Sequence, residues 1–103
     1  MHSNLIWSYL FLSLQKNLVI VDWYATWCGP CKMFAPIYSK LSDQFPDTTF
    51  VKVDIDEVDA EAIEGFPSIS SVPTFFVIKD GKVVRSFSGT NEAQLVDSIK
   101  QYK

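Results

Sequence analysis

The chain has few of the side chains that hold metals or bind nucleic acid. It contains two cysteines and one histidine, and twelve acidic residues outnumber nine basic ones for a net charge of −3. Phosphate neutralisation needs a basic surface, so this balance argues against nucleic acid as a partner. A structural zinc site takes about four Cys or His ligands. The count therefore argues against a metal site within one chain, and leaves open only a cluster shared between two chains.

Runs of like charge, low-complexity segments and internal repeats are also missing. Hydrophobic residues make up 48% of the chain and charged residues 20%, which is typical of a globular protein. A length of 103 residues fits one compact domain, so we expect residues 1–103 to form a single unit.

The two cysteines, Cys28 and Cys31, stand three positions apart. A structural disulfide stabilises most when it closes a long loop, and this spacing closes almost nothing. The pair is therefore expected to serve chemistry or a metal. The lack of any other cysteine fits a reducing compartment.

Four segments have the apolar, β-branched character of strands. Residues 18–25 begin with four consecutive aliphatic residues, which predicts a strand buried on both faces. Asp80-Gly81 separates the last two segments and favours a tight hairpin turn. The four predicted strands are Leu18–Ala25, Phe50–Asp54, Thr74–Ile78 and Val83–Phe87.

Helical periodicity marks three further segments. Apolar residues recur at three- and four-residue steps from Cys31 to Phe45, and Pro36 inside that pattern predicts a kink. A short helical stretch is predicted around Asp59–Glu64, and Thr90 or Asn91 could cap a final helix. The order of elements predicts an α/β fold, with helices on the faces of a central mixed β-sheet.

The segment Leu5–Leu14 is unusual because only Ser8 and Ser13 among its ten residues are polar. It is too short to span a bilayer. It resembles the apolar part of a signal peptide, but no Lys or Arg precedes it and no small-residue cleavage site follows. We therefore favour a buried first helix or strand, with a secretory or membrane-anchoring role as the alternative.

The predicted boundary between strand and helix places Cys28 at a helix N-terminus. Unpaired N–H groups and partial positive charge there stabilise a thiolate, the reactive form of cysteine. Pro30 fits the first helical turn, and Gly29 keeps the sulfur accessible to another protein. The inferred cycle is attack of Cys28 on a substrate disulfide, followed by attack of Cys31 on the mixed disulfide.

These motifs together resemble the thioredoxin family. The hexapeptide Trp27-Cys28-Gly29-Pro30-Cys31-Lys32 resembles the family's active-site signature. Four further elements, one before it and three after it, occur in the family's order, and the resemblance runs from about Leu18 to the C-terminus. They are Val21–Ala25, Val51–Asp54, Val72–Thr74 and Gly89. The resemblance implies a thioredoxin fold. Only the atypical apolar residues 1–17 remain for the family's first strand and helix, so an altered or missing first strand is expected.

The resemblance also implies roles for the residues of the catalytic pair. Cys28 would attack, Cys31 would resolve, and Asp22 would be the buried carboxylate that moves the proton of Cys31. A carboxylate within an apolar strand should have a raised pKa; the alternative is an Asp22 that faces solvent. Lys52 would tune that aspartate, or else be a solvated strand lysine.

A docking patch for protein substrates is implied at the same end of the molecule. Pro73 would be the family's cis-proline, and Val72 would offer its backbone to an extended substrate. Trp27, Gly29 and Gly89 would complete the patch. The alternative for Trp27 is simple core packing.

The Gly-Pro spacer resembles that of the reducing members of the superfamily. The resemblance implies a cytoplasmic protein-disulfide reductase without a bound cofactor, with a monomer as the expected state and a dimer as the alternative. It would be recycled with NADPH by a flavoprotein, thioredoxin reductase, and would act on substrates such as peroxiredoxin and ribonucleotide reductase. Two alternatives stay open, an oxidase or isomerase of an oxidising compartment and a redox-gated binding module.

Overall fold

The computed structural model describes residues 18–103. The predictions for Leu5–Leu14 and for a first strand lie outside this range. Numbered from the first described element, the order is β1 (Leu18–Tyr24), α1 (Gly29–Gln44), β2 (Thr49–Asp54), a 3₁₀ turn (Ala60–Ala62), β3 (Thr74–Lys79), β4 (Lys82–Ser88) and α2 (Glu92–Tyr102).

The described strands form one mixed sheet in the order β2-β1-β3-β4. The crossover through α1 makes β1 and β2 parallel, while β1–β3 and β3–β4 are antiparallel. Asp80 and Gly81 join β3 to β4 with positive φ angles of 52° and 82°, as a tight hairpin turn requires. The predicted mixed sheet and its hairpin are confirmed.

Strand β1 is buried on both faces because each face carries its own apolar cluster. Leu18 and Ile20 pack with residues of α1, β3 and α2. Val19, Val21 and Trp23 pack on the opposite face against β3 and the segment after β2. Side chains alternate along a strand, so Asp22 shares the face of Leu18 and Ile20, beneath α1.

Helix α1 begins at Gly29, so the predicted position of Cys28 at a helix N-terminus is confirmed. Cys28 is its N-cap, and Pro30 lies in the first turn, where a missing N–H is not needed. The helix continues through Pro36, which is exposed. The kink predicted at Pro36 stays a prediction.

The helical stretch predicted at Asp59–Glu64 is reduced to the single 3₁₀ turn Ala60–Ala62. Asp59 caps this turn by accepting the Glu61 N–H at 2.9 Å. Ile63 then adopts extended backbone angles and ends the turn, with its side chain in the core cluster of Trp23. Packing of Ile63 thus stops a helix that the local pattern would continue.

Asn91, rather than Thr90, caps α2, accepting the Gln94 N–H at 3.0 Å.

None of the helices within residues 18–103 has the length and apolar character needed to cross a membrane.

Candidate active site at the N-terminus of helix α1

Cys28 and Cys31 form a disulfide with their Cα atoms 5.3 Å apart. Both side chains are buried, at 4% and 6% exposure. Cys28 Sγ also accepts the Cys31 N–H at 3.1 Å, as the N-cap side chain of α1. The sulfur therefore lies at the positive end of a helix and has a backbone donor, which are two conditions that stabilise a thiolate.

A loop that is distant in sequence lies against Cys28 Sγ. The Val72–Pro73 peptide bond is cis, and the Val72 carbonyl oxygen lies 3.8 Å from Cys28 Sγ. The Gly89 N–H donates to the Pro73 carbonyl at 3.0 Å, with Gly89 at a φ of 97°. The N-terminus of α1 and the ends of β3 and β4 thus converge at the disulfide.

Trp27 lies on the surface beside the pair, with 67% of its side chain exposed. Its indole N–H donates to Asp56 Oδ2 at 3.0 Å, and the Asp56 N–H donates in turn to Asp54 Oδ1 at 2.9 Å. The alternative that Trp27 packs in the core is wrong. Asp56 was not predicted as a site residue, because no local pattern indicates a partner 29 positions away along the chain.

Asp22 is 2% exposed, so the alternative that it faces solvent is wrong. Burial raises its pKa from 3.8 to about 6, and the positive charge of Lys52 opposes that rise. Among residues 18–103, Asp22 Oδ1 has no hydrogen-bond partner. This environment gives the carboxyl group a proton affinity suited to proton transfer near neutral pH.

Tyr24, Tyr38 and Lys52 interact electrostatically with this carboxylate. The buried Tyr38 hydroxyl donates to the Val51 carbonyl at 2.7 Å, and burial together with the charge of Asp22 holds the Tyr38 pKa well above its usual value. Lys52 is the register partner of Asp22 across β1 and β2. Its Nζ lies 4.7 Å from the centre of the Tyr24 ring. Lys52 is exposed at the surface yet acts electrostatically on Asp22.

A cavity of about 330 Å³ opens beside Cys31. It is large enough for water, which needs polar partners as well as space. Cys31 and Lys52 both line this cavity. A water molecule beside Cys31 would therefore also lie near Lys52, the register partner of Asp22. The lining residues are Tyr24, Ala25, Thr26, Cys31, Lys32, Ala35 and Lys52.

Within the described part of the chain, no three His, Cys, Asp or Glu side chains are grouped so as to hold a metal ion. His2 lies outside that part.

Comparisons with known proteins agree with this geometry. The family model described as Thioredoxin matches residues 9–101. Thioredoxin-3 of Dictyostelium discoideum is 47% identical over 87 residues, which cover 84% of this chain and 82% of that protein. The thioredoxin structure from Nicotiana alata has a TM-score of 0.85 and 36% identity, and the match covers 100% of this chain and 90% of that one.

A third relative comes from a structure described as the basis of the thiol resolving mechanism in yeast mitochondrial 1-Cys peroxiredoxin via glutathione/thioredoxin systems. It has a TM-score of 0.80 and 38% identity, with 91% of this chain and 87% of that chain covered. The family match extends over most of the chain, and the paired cysteines lie at disulfide distance on a capped helix. The chain therefore belongs to the thioredoxin family, and it is a thiol–disulfide oxidoreductase that performs dithiol–disulfide exchange.

Proposed function

We propose that Cys28 is the attacking cysteine and Cys31 the resolving one in the reduction of protein disulfides. The observation that carries this assignment is the position of Cys28 Sγ, which accepts the Cys31 N–H at the helix N-terminus and also contacts the Val72 carbonyl. A thiolate at Cys28 is stabilised there and faces the loop where a substrate would dock. Cys31 lies one helical turn further on, against the cavity that contains Lys52.

The exchange balances in two steps. The Cys28 thiolate attacks one sulfur of the substrate disulfide, and the other sulfur leaves as a thiolate with the electron pair. Cys31 loses its proton and attacks Cys28 Sγ, forming the Cys28–Cys31 disulfide and releasing the second substrate thiolate. The substrate gains two electrons, and the pair loses them.

Asp22 is proposed as the acceptor of the Cys31 proton. Its pKa of about 6 leaves the carboxylate mostly ionised at neutral pH but basic enough to accept a proton. The cavity beside Cys31 offers room for a bridging water. Lys52 is proposed to tune this group, because its charge lowers the pKa that burial raises.

Substrate docking is assigned to the surface around the disulfide. Trp27, Gly29 and Gly89 are exposed, while Val72 is half-buried and Pro73 is fully buried. Pro73 would support the loop from below, so that the Val72 backbone meets an extended substrate. Pro30 would set the first turn of α1.

The family works without a bound cofactor and receives its electrons from NADPH through thioredoxin reductase. We propose peroxiredoxin and ribonucleotide reductase as substrates, the first supported by the similarity to the yeast structure that concerns a mitochondrial 1-Cys peroxiredoxin. We also propose that residues 1–103 act as one domain, as a monomer in the cytoplasm. The presence of only two cysteines, both at the site, supports a reducing compartment.

The test couples the protein to thioredoxin reductase and NADPH and follows reduction of the disulfides of insulin. We expect turnover with the native chain and none with Cys28→Ser. Cys31→Ser is the matched control, since it keeps the attacking sulfur and should trap the mixed disulfide. Absence of turnover, or unchanged turnover in Cys28→Ser, would refute the proposal.

A further inference from the structure

Two neighbouring cavities share two lining residues, Ile55 and Ile69, and together form a groove beside the active site. The first, of about 120 Å³, is lined by Trp27, Val72, Ser70 and Ser71 together with Ile55 and Ile69. The second, of about 200 Å³, is lined by Val58, Asp59, Ala60 and Glu61 together with the same two isoleucines. We call this surface the Ile55–Ile69 groove. It runs from Trp27 and Val72, beside the disulfide, to Asp59 and Glu61.

The groove combines an apolar middle with a strongly acidic border. Residues 53–78 contain six acidic side chains and no lysine, arginine or histidine. Asp56 lies at the Trp27 end, where it binds the indole, and Asp59 and Glu61 are exposed at the far end. A cation that reaches the far end therefore meets two carboxylates, and no basic side chain of this segment competes for them.

The cavity beside Cys31 has a different set of charged lining residues. It is lined by Lys32 and Lys52 and shares no lining residue with the groove. A basic side chain of the substrate meets two lysines in that lining, whereas it meets Asp59 and Glu61 in the lining of the groove. The two surfaces therefore differ in their preference for a basic side chain.

We propose that the Ile55–Ile69 groove selects substrate segments that are extended and carry a lysine or arginine on one side of the reacting cysteine. The inference rests on the proposed attack by Cys28 and docking at Val72, since these fix where the substrate cysteine lies. Residues next to that cysteine then pass Trp27 and enter the groove. Apolar side chains cover Ile55 and Ile69, and a basic side chain farther along pairs with Asp59 and Glu61.

The test uses the pre-reduced protein and peptides with a single cysteine held in a disulfide with thionitrobenzoate. The Cys28 thiolate attacks the peptide sulfur, the bond to thionitrobenzoate breaks, and the coloured thiolate leaves with the electron pair. Its absorbance gives the second-order rate constant. One lysine is moved stepwise along either side of the cysteine in an otherwise neutral peptide.

We expect lysine on one side to raise the rate constant about threefold to tenfold over the neutral parent, and lysine on the other side to leave it nearly unchanged. The gain should shrink as salt is added, because exposed charges are screened. The double substitution Asp59→Asn, Glu61→Gln should abolish it, and Asn at position 59 keeps the capping acceptor. Asp43→Asn, Asp97→Asn is the matched control, since it changes the net charge equally at exposed positions that do not line the groove.

The outcomes separate this inference from the proposed function. Failure of the native protein to attack the neutral parent, or equal release by Cys28→Ser, refutes the function itself. Normal attack on the parent without a one-sided lysine effect refutes the groove's role alone, as does an effect that survives in the groove double variant. If the double variant no longer attacks the parent, the single variants replace it, and each should remove part of the preference.

Discussion

At the scale of single residues, Asp22 shows how a site is placed at the expense of stability. Among residues 18–103, Asp22 is the one buried carboxylate, and the residues on either side of it along β1 are apolar. Its folded-state pKa of about 6 exceeds the ordinary 3.8. The folded protein therefore binds a proton that the unfolded chain releases between these two values, and stability falls as the pH rises through this window.

We expect Asp22→Asn to raise the free energy of unfolding above pH 7, by about 3 kcal/mol at most, since one pKa unit corresponds to about 1.4 kcal/mol. This gain in stability should fade as the pH falls from 6 to 3.8. Below this window Asp22 is protonated in the folded and in the unfolded protein alike. Urea unfolding at pH 7.5 and pH 4 measures both values. The exposed Asp97→Asn is the control, and an equal gain at both pH values would contradict the pKa argument.

The bond between Trp27 and Asp56 is the second residue-scale feature. It holds an indole that is largely exposed on the surface. We expect Asp56→Ala to raise the KM for a protein disulfide about threefold, because docking must then order the ring. Asp56→Asn keeps an acceptor oxygen and should stay near the native KM. Equal KM values for both variants would show that the hydrogen bond does not matter for docking.

At the scale of elements, the two helices begin with the same capping geometry for different purposes. In each, the N-cap side chain accepts the N–H of the residue three positions later, Cys28 from Cys31 and Asn91 from Gln94. At α2 the cap stabilises an exposed helix start. At α1 the acceptor is a sulfur, so the same geometry prepares a thiolate.

Asn91→Ala should lower the free energy of unfolding by about 1 kcal/mol, the usual value of an N-cap. Asn91→Asp preserves the acceptor and is the matched control, with little expected change. Thermal or urea unfolding of the three proteins gives the comparison. If Ala is as stable as Asn, the capping bond contributes nothing to stability.

At the scale of the whole molecule, the sheet brings distant segments to one end of the fold. Strand β1 leads into the cysteine pair, and β3 begins at the Val72–Pro73 loop that contacts it. Strand β2 places Lys52 beside Asp22. The direction of electron flow belongs to this scale, because it depends on how the fold stabilises the dithiol relative to the disulfide.

We expect a reduction potential well below roughly −200 mV, as suits a reductant in a glutathione-containing compartment. Equilibration with glutathione buffers, followed by alkylation of free thiols, measures it. A value well above that limit would favour the oxidase or isomerase alternative. A Cys28→Ser, Cys31→Ser variant that still performs the cellular task would instead favour the binding module.

The sequence by itself determined the local chemistry of this protein. Short-range rules predicted the buried strand before the cysteines, the Asp80-Gly81 turn and a cap at Thr90 or Asn91, because each of these features depends on a few consecutive residues. The burial of Asp22 also followed from its apolar neighbours. The positions of Cys28 at the start of α1 and of Pro30 in its first turn followed from the same local rules.

Only the tertiary structure decided the features that join remote segments. The packing of Ile63 shortened the predicted helix around residue 60, and no local pattern could show this. Asp56 meets Trp27 across 29 positions, and Ile55 meets Ile69 in a groove formed by two loops. The disulfide chemistry is thus encoded in six consecutive residues, whereas the surface beside it depends on how the sheet places its loops.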